Sequence, residues 1–297
     1  MGLAHSIHLD LDGAWPAASV LAETRVDCRV WGPRLRYSTT PREIEAFHAH
    51  LAGRGAKFTL FGSGDFHHLT TLWLRRLAEP CTLVSFDNHP DWDIRPPRWC
   101  CGTWINRALE LPLVRRAAIW GCGNFELNWP GCLFVSGRAL REGRLEVWPW
   151  TERLGASGRK RWHGVHRDGW RVAFAAFARG LAGQGVYVTV DLDCLRSEES
   201  VTNWENGLFT ADDIAWAIGE ISAHASIVGG DVCGAHSAPA YARWSQRIAA
   251  GLDHPAESRA AGAEAAARNE RALRTIWPAL TARHEHHAGA DQQHAEP

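Results

Sequence analysis

The sequence predicts an α/β protein of three layers, helix on sheet on helix, around a central and mostly parallel sheet. Three observations carry this. Runs of strand length, such as Cys81-Thr82-Leu83-Val84-Ser85-Phe86 and Val186-Tyr187-Val188-Thr189-Val190, are apolar or β-branched nearly throughout, the mark of strands covered on both faces. These runs alternate along the chain with helical patterns, as successive βαβ units require. The 297 residues, 45% hydrophobic and 22% charged, suffice for one large domain with a substantial core.

Taken in order, residues 6–12 read as an opening strand that ends in alternating carboxylates, Asp10 and Asp12. Residues 41–51 form a helix with Pro41 at its start, where the missing N–H is harmless. Residues 57–61 are a strand, followed by the turn Gly62-Ser63-Gly64-Asp65-Phe66-His67-His68 and a helical stretch over 69–74. The strand ending at Phe86 comes next, then strands over 117–121 and 144–148, a loop over 154–162 and the strand over 185–190. Thr210-Ala211-Asp212-Asp213 resembles a capping box for a helix over 214–221, and residues 225–230 lead as a strand into Asp231. We divide the chain into a main domain over 1–255, a C-terminal helix over 256–283, rich in Ala, Glu and Arg, and a polar, disordered, His-rich tail over 284–297.

Chemistry concentrates at the strand ends. Ser85-Phe86-Asp87-Asn88-His89-Pro90-Asp91 places Asp, His and Asp at every second position, so the three would share one side if the chain stayed extended. Carboxylate oxygen with imidazole nitrogen suits Mn²⁺, Fe²⁺ or Zn²⁺ better than Ca²⁺. Pro90 marks the change from strand to loop, and ligands of α/β sheets bind at that end. A century of residues later a Val-rich strand ends in Asp191-Leu192-Asp193, two alternating carboxylates that would repel each other without a cation between them. The turn after residues 57–61 offers a histidine, His67 or His68, at the mouth of a helix. His67 fits the helix start better. Asp10 and Asp12 imitate these motifs without belonging to them.

These motifs, in this order and over about residues 57 to 240, resemble the ureohydrolase (arginase and agmatinase) superfamily, which carries a Gly-Gly-Asp-His turn, a D-x-H-x-D strand end and a D-x-D strand end. The resemblance implies an arginase-like fold and two Mn²⁺ ions, with Fe²⁺ or another divalent metal as a substitute. It implies His67, Asp87, His89, Asp91, Asp191 and Asp193 as ligands, with Asp87 and Asp191 bridging. It also implies that Asp91 acts catalytically by orienting a hydroxide nucleophile. Two cations lower the pKa of a shared water and stabilise the tetrahedral intermediate at an attacked guanidinium carbon.

The chain departs from the family in four places. Phe66 is inserted between the Asp and the His of the turn. Asp231 stands where the family usually has a glutamate that pairs with the guanidinium, one methylene shorter but of the same charge. Asp93 replaces an asparagine that, in enzymes acting on free arginine, helps to bind the α-carboxylate. A carboxylate there disfavours free arginine and favours agmatine, another guanidino compound or an arginine within a peptide. Lastly, the family's histidine proton shuttle is absent, Cys100-Cys101-Gly102-Thr103 standing in that region, with His163, His166 and His236 as weak substitutes.

Composition excludes other classes. A net charge of −1 gives no footprint for nucleic acid. No apolar run approaches membrane length and the first residues lack a signal peptide, so a cytoplasmic protein is expected, with homo-oligomers allowed. Eight cysteines without a CxxC pair form neither a disulfide framework nor a zinc site. The 16 tryptophans against 3 tyrosines stand out. Those in loop-like segments, Trp92, Trp99, Trp129, Trp148, Trp150, Trp162 and Trp204, would form an aromatic wall for a large cationic substrate. The leading reading is a binuclear manganese hydrolase that cleaves a guanidino C–N bond with urea release, converting peptidyl arginine to peptidyl ornithine. An agmatinase or guanidino-acid hydrolase, a deacetylase-like amidohydrolase and a non-catalytic metal-binding protein are the alternatives.

Overall fold

The computed structural model describes residues 4–15, 21–254 and 262–282. Among these residues ten strands form: β1 (Ala4–Asp10), β2 (Thr24–Asp27), β3 (Ser38–Thr39), β4 (Ala56–Leu60), β5 (Cys81–Phe86), β6 (Trp99–Cys100), β7 (Val114–Trp120), β8 (Leu145–Trp148), β9 (Gly185–Asp191) and β10 (Ser226–Cys233). Eight of them make one sheet in the order β2-β1-β4-β10-β9-β5-β7-β8, with every pairing parallel. The sheet is thus wholly parallel, while β3 and β6 pair antiparallel as a separate ribbon.

Burial on both faces explains the apolar strand sequences. In β5 and β9, Val84, Phe86, Val188 and Val190 pack toward the helices Trp170–Arg179, Ala211–His224 and Gly262–Thr281. Leu83 and Tyr187, one residue out of step, face the other layer, where Phe47 of Pro41–His50, Leu72 of Thr70–Leu74 and Ile105 of Trp104–Leu109 cover them. Thr210 caps Ala211–His224 in a capping box with Asp213, so that helix begins earlier and ends later than its apolar core suggests.

Three expectations are adjusted. The opening strand ends at Asp10, and Asp12 turns away to accept from the backbone N–H of Ser63. The segment 154–162 contains a short helix, Ala156–Arg161, whose polar residues offer no apolar period to betray it. The C-terminal helix runs Gly262–Thr281 within the described residues, while 256–261, 283 and the tail 284–297 lie outside them. Among the described residues no helix is long and apolar enough to cross a membrane.

Candidate metal centre

Four adjacent strands, β4, β10, β9 and β5, deliver the polar cluster at their carboxyl ends. Phe86 pairs with Val190, so Asp87, just past β5, and Asp191, the last residue of β9, lie side by side. His67 comes from the 3₁₀ turn Gly64–Leu69 after β4, and Asp193 from the turn Leu192–Cys194 after β9. The chain does not stay extended through the D-x-H-x-D segment. The backbone N–H of His89 donates to Asp87 Oδ1 at 2.6 Å, and Asp91 adopts φ 47°, a left-handed conformation that turns its carboxyl back toward the cluster.

The six residues converge. His67 Nδ1 lies 3.1 Å from Asp87 Oδ2, 3.4 Å from Asp91 Oδ2 and 3.6 Å from Asp191 Oδ2. His89 Nδ1 lies 2.8 Å from Asp193 Oδ2 and 3.6 Å from Asp87 Oδ1. Two triads follow, His67-Asp87-Asp91 and Asp87-His89-Asp193, each with ligand atoms within 4.8 Å of one another and Asp87 common to both. A third triad adds Asp191 and Cys233 to His67.

Buried carboxylates with two imidazoles suit a pair of divalent cations of borderline hardness. His67 Nδ1 supports the fit: it is buried and makes no hydrogen bond, although carboxylates surround it. Its Nε2 is taken by Thr189 Oγ1 at 2.8 Å, which leaves Nδ1 as the ligating nitrogen. Two glycines make room for Asp191. A Cβ on Gly64 would stand 2.5 Å from its Oδ2, and one on Gly234, at φ +101°, would stand 2.2 Å from its Oδ1.

The electrostatics tell the same story. Burial pushes the Asp91 carboxyl up to about 7, with the charge of Asp87 adding to the effect, and raises Asp191 and Asp193 in the same way. Burial opposes a proton on His67, yet the carboxylates of Asp87 and Asp91 outweigh it and hold the imidazole cationic. Asp193 and Asp87 do the same for His89 against the same penalty. A cluster of buried anions needs cations, whether protons or metal, to offset its charge.

Other predicted residues lie elsewhere. His68 belongs to none of these triads; it is buried with neither ring nitrogen bonded, and burial lowers its pKa to about 3. Asp231, expected to meet a guanidinium, is fully buried beneath the site, where Tyr187 Oη and Thr189 Oγ1 donate to it at 2.7 and 2.5 Å. It stands behind Thr189 and so behind His67, as a support for the ligand. Asp93 does line the crevice, but Arg95 pairs with it at 2.5 Å, so its charge is largely matched. None of His163, His166 and His236 lines the crevice. Asp10 and Asp12 hold arginines, Arg25 and Arg36, at 2.5 and 3.6 Å. The aromatic wall reduces to Trp204, since Trp92, Trp99 and Trp150 are core residues and Trp148 stacks on Trp120.

Sequence reasoning missed several residues. Trp104 Nε1 donates to Asp91 Oδ2 at 2.5 Å, Glu205 Oε2 lies 3.4 Å from His89 Nε2, and Cys233 Sγ donates to Asp191 Oδ2 at 3.2 Å. Glu126, pushed up to about 7 by burial with Asp91 and Asp93 contributing, lines the opening. Only Cys233 gave a signal, two residues beyond Asp231 at a strand end. The cluster forms the floor of an open crevice of about 220 Å³, whose walls include Tyr37, Cys100, Cys101, Phe125 and Trp204.

A wholly parallel sheet that gathers acids and histidines at the ends of β4, β9 and β5, with Cys233 of β10 beside them, has the architecture of an arginase-like α/β fold. Comparison with solved structures agrees: the fold is like that of solved arginases and amidino hydrolases. The arginase of Bacillus caldovelox superposes with a TM-score of 0.55 at 14% identity, over 93% of this chain and 98% of that one. Proclavaminate amidino hydrolase of Streptomyces clavuligerus gives 0.52 at 15%, over 93% and 91%. A hypothetical agmatinase of Burkholderia thailandensis gives 0.51 at 19%, over 93% and 86%. In sequence, an uncharacterized protein of Thermotoga maritima is 25% identical over 231 residues, 76% of this chain and 78% of the relative. No protein-family model matches the chain.

Proposed function

We propose that this protein is a binuclear metal hydrolase that cleaves a guanidino C–N bond with release of urea, that Mn²⁺ is its metal, and that arginine within a peptide is its substrate. The observation that carries the reading is the pair of triads sharing Asp87 on the floor of an open crevice. The fold's solved relatives include an arginase and an amidino hydrolase, which is consistent with this chemistry.

His67, Asp87, Asp91 and Asp191 would hold one cation, and Asp87, His89, Asp191 and Asp193 the other. When bound, the pair supplies Lewis acidity and makes water nucleophilic at neutral pH. Asp91 is fixed by Trp104 through one oxygen, which leaves the other to take a proton from the attacking water. Addition of water to the guanidinium carbon and loss of the substituted nitrogen gives urea and an amine, and the departing nitrogen needs a proton. Glu126, poised between its two protonation states near neutrality, is the crevice acid suited to give it.

The walls favour a cation that brings no free carboxylate close. Glu126, Glu205, Asp93 and Asp253 line the crevice, and among the described residues that line it Arg95 is the one guanidinium or ammonium group. It is already paired with Asp93. A free α-carboxylate would therefore meet repulsion from several acids, whereas agmatine or a peptidyl arginine would not.

The test is urea release by Mn²⁺-loaded protein, with the His-rich tail removed, on free arginine, agmatine and an arginine-containing peptide. Urea from the peptide and none from free arginine supports the reading. Urea chiefly from agmatine moves the assignment to a small-molecule ureohydrolase, and no urea from any of them overturns the chemistry.

A further inference from the structure

Large apolar side chains are unevenly spread over the surface. Among the described residues nine are left widely exposed, between 55% and 82%, and seven of these lie on two segments that border the crevice. The first segment carries Ile94, Phe125, Trp129 and Leu133. Its loops are tied together where the Ile94 N–H donates to Phe134 O at 3.0 Å, and Arg95 stacks over the Phe134 ring at 3.7 Å. Asp93, Arg95, Phe125 and Glu126 of the same loops line the crevice itself. The second segment is the helix Trp244–Asp253, on which Trp244, Ile248 and Leu252 recur every fourth residue and so form one stripe. That stripe ends at Asp253, which lines the crevice and accepts from Tyr37 Oη.

Single exposed apolar residues are ordinary, but contiguous ones beside a cleft mark a binding surface. We infer that these two segments are docking tracks for the polypeptide that carries the target arginine, binding apolar residues on either flank while the guanidinium enters the crevice. This rests on the hydrolase reading above and extends it from the reacting group to the chain around it. Two features favour a peptide over a second copy of this protein. The tracks lead to a mouth where, beside the paired Asp93 and Arg95, the acids Glu126, Glu205 and Asp253 are complementary to a cationic side chain. A subunit seated on both would stand over the opening that substrate must use. The stripe from Trp244 to Leu252 is about 12 Å long at the helical rise, which an extended peptide spans with about four residues.

The experiment uses the full chain loaded with Mn²⁺ and a fluorescent probe peptide, Gly-Leu-Ile-Arg-Val-Phe-Gly, beside the same peptide with serine in place of its four apolar residues. Binding is read by anisotropy, hydrolysis by urea release, and assembly by sedimentation. Two variants, Trp129→Ser with Leu133→Ser and Ile248→Ser with Leu252→Ser, change only exposed side chains. The inference predicts that each variant binds the apolar peptide at least about tenfold more weakly, that the serine peptide binds the unaltered protein no better than this, and that urea release from agmatine is unchanged. Equal binding by variants and unaltered protein would overturn it, as would variants that dissociate from a dimer to monomers while keeping peptide affinity. Variant-sensitive peptide binding with no urea from any substrate would keep the docking tracks and remove the hydrolase reading. Urea release from the peptide that ignores both variants would do the reverse.

Discussion

Metal removal should make this protein lose stability as the pH rises from about 6.5 to about 8, and the slope follows from two imidazoles. In the metal-free fold, His67 and His89 are held cationic by the carboxylates around them despite their burial. In the unfolded chain each releases its proton near the ordinary pH of about 6.5. Above that pH the folded state binds more protons than the unfolded one, so stability is fully present below it and drains away as the pH rises toward the folded values. Each imidazole contributes about 1.4 kcal/mol per pH unit, so the pair gives about 3 kcal/mol per unit and about 4 kcal/mol across the window.

Groups of the opposite sign fall largely below this window. His8 and His68, lowered by burial to about 4 and about 3, are neutral in both states above about pH 6.5, and their opposite effect on stability lies entirely below it. Asp91 and Glu126, both raised to about 7, and Asp191 and Asp193, raised by the same burial, act in the same downward direction. Thermal or urea denaturation followed by tryptophan fluorescence measures it. At roughly 2 °C of midpoint per kcal/mol for a chain of this size, the metal-free protein should melt about 8 °C lower at the upper pH. With Mn²⁺ saturating, metal replaces the protons on both imidazoles, and the slope should vanish or reverse while each site at a hundredfold excess over its Kd adds about 2.7 kcal/mol. Metal-free stability that is flat or rises with pH in this range would refute the convergence of charge on which the metal centre is argued.

Three further outcomes are expected. Asp87→Ala should leave less than one bound metal per chain, whereas Asp193→Ala should leave close to one, because only Asp87 belongs to both triads; metal analysis after gel filtration distinguishes them. Thr189→Val removes the link between His67 Nε2 and Asp231 and should weaken metal affinity by about 10- to 100-fold, read by competition with a chelating dye. His68→Phe should keep both metals and the activity, while His67→Phe should lose one metal and all urea release; metal retained by the second variant would show that the inserted Phe66 had shifted the ligand to His68.

The sheet and the six-residue cluster were largely legible because buried parallel strands announce themselves by composition, and metal ligands at their ends come from a short list of residue types. What could not be read depends on register and distant loops. Asp231 pairs with Thr189 across β10 and β9, so it shares that residue's face and meets it beneath the cluster, a fact fixed by strand pairing and invisible in a Gly-Gly-Asp string. Trp104, Glu126 and Glu205 reach the site from loops or helices outside the three motifs, and nothing in their local sequence marks them. The tryptophans misled for a physical reason: in a parallel sheet the strand ends are also core, so Trp120, Trp148 and Trp150 pack on helices and one another. The helix Ala156–Arg161 was hidden by its own polarity.

The arrangement also bears on whether the centre is a working site or a relic that stabilises the fold. A structural metal site is closed, with its ligands satisfied and solvent excluded. Here Asp87, His89, Asp91, Asp191 and Asp193 all line an open crevice, and the carboxyl of Asp91 is held toward it by a left-handed backbone and the Trp104 indole. A left-handed non-glycine residue costs of order 1–3 kcal/mol, which stability alone gives no reason to retain. Glycines at 64 and 234 give up side-chain packing so that Asp191 can approach. Strain, missing side chains and buried like charge each destabilise the fold, and all meet at one solvent-accessible point. A pair of cations offsets the charge and gives the turned carboxyl of Asp91 a partner, but neither needs the opening, and this weighs for catalysis over a retained ornament.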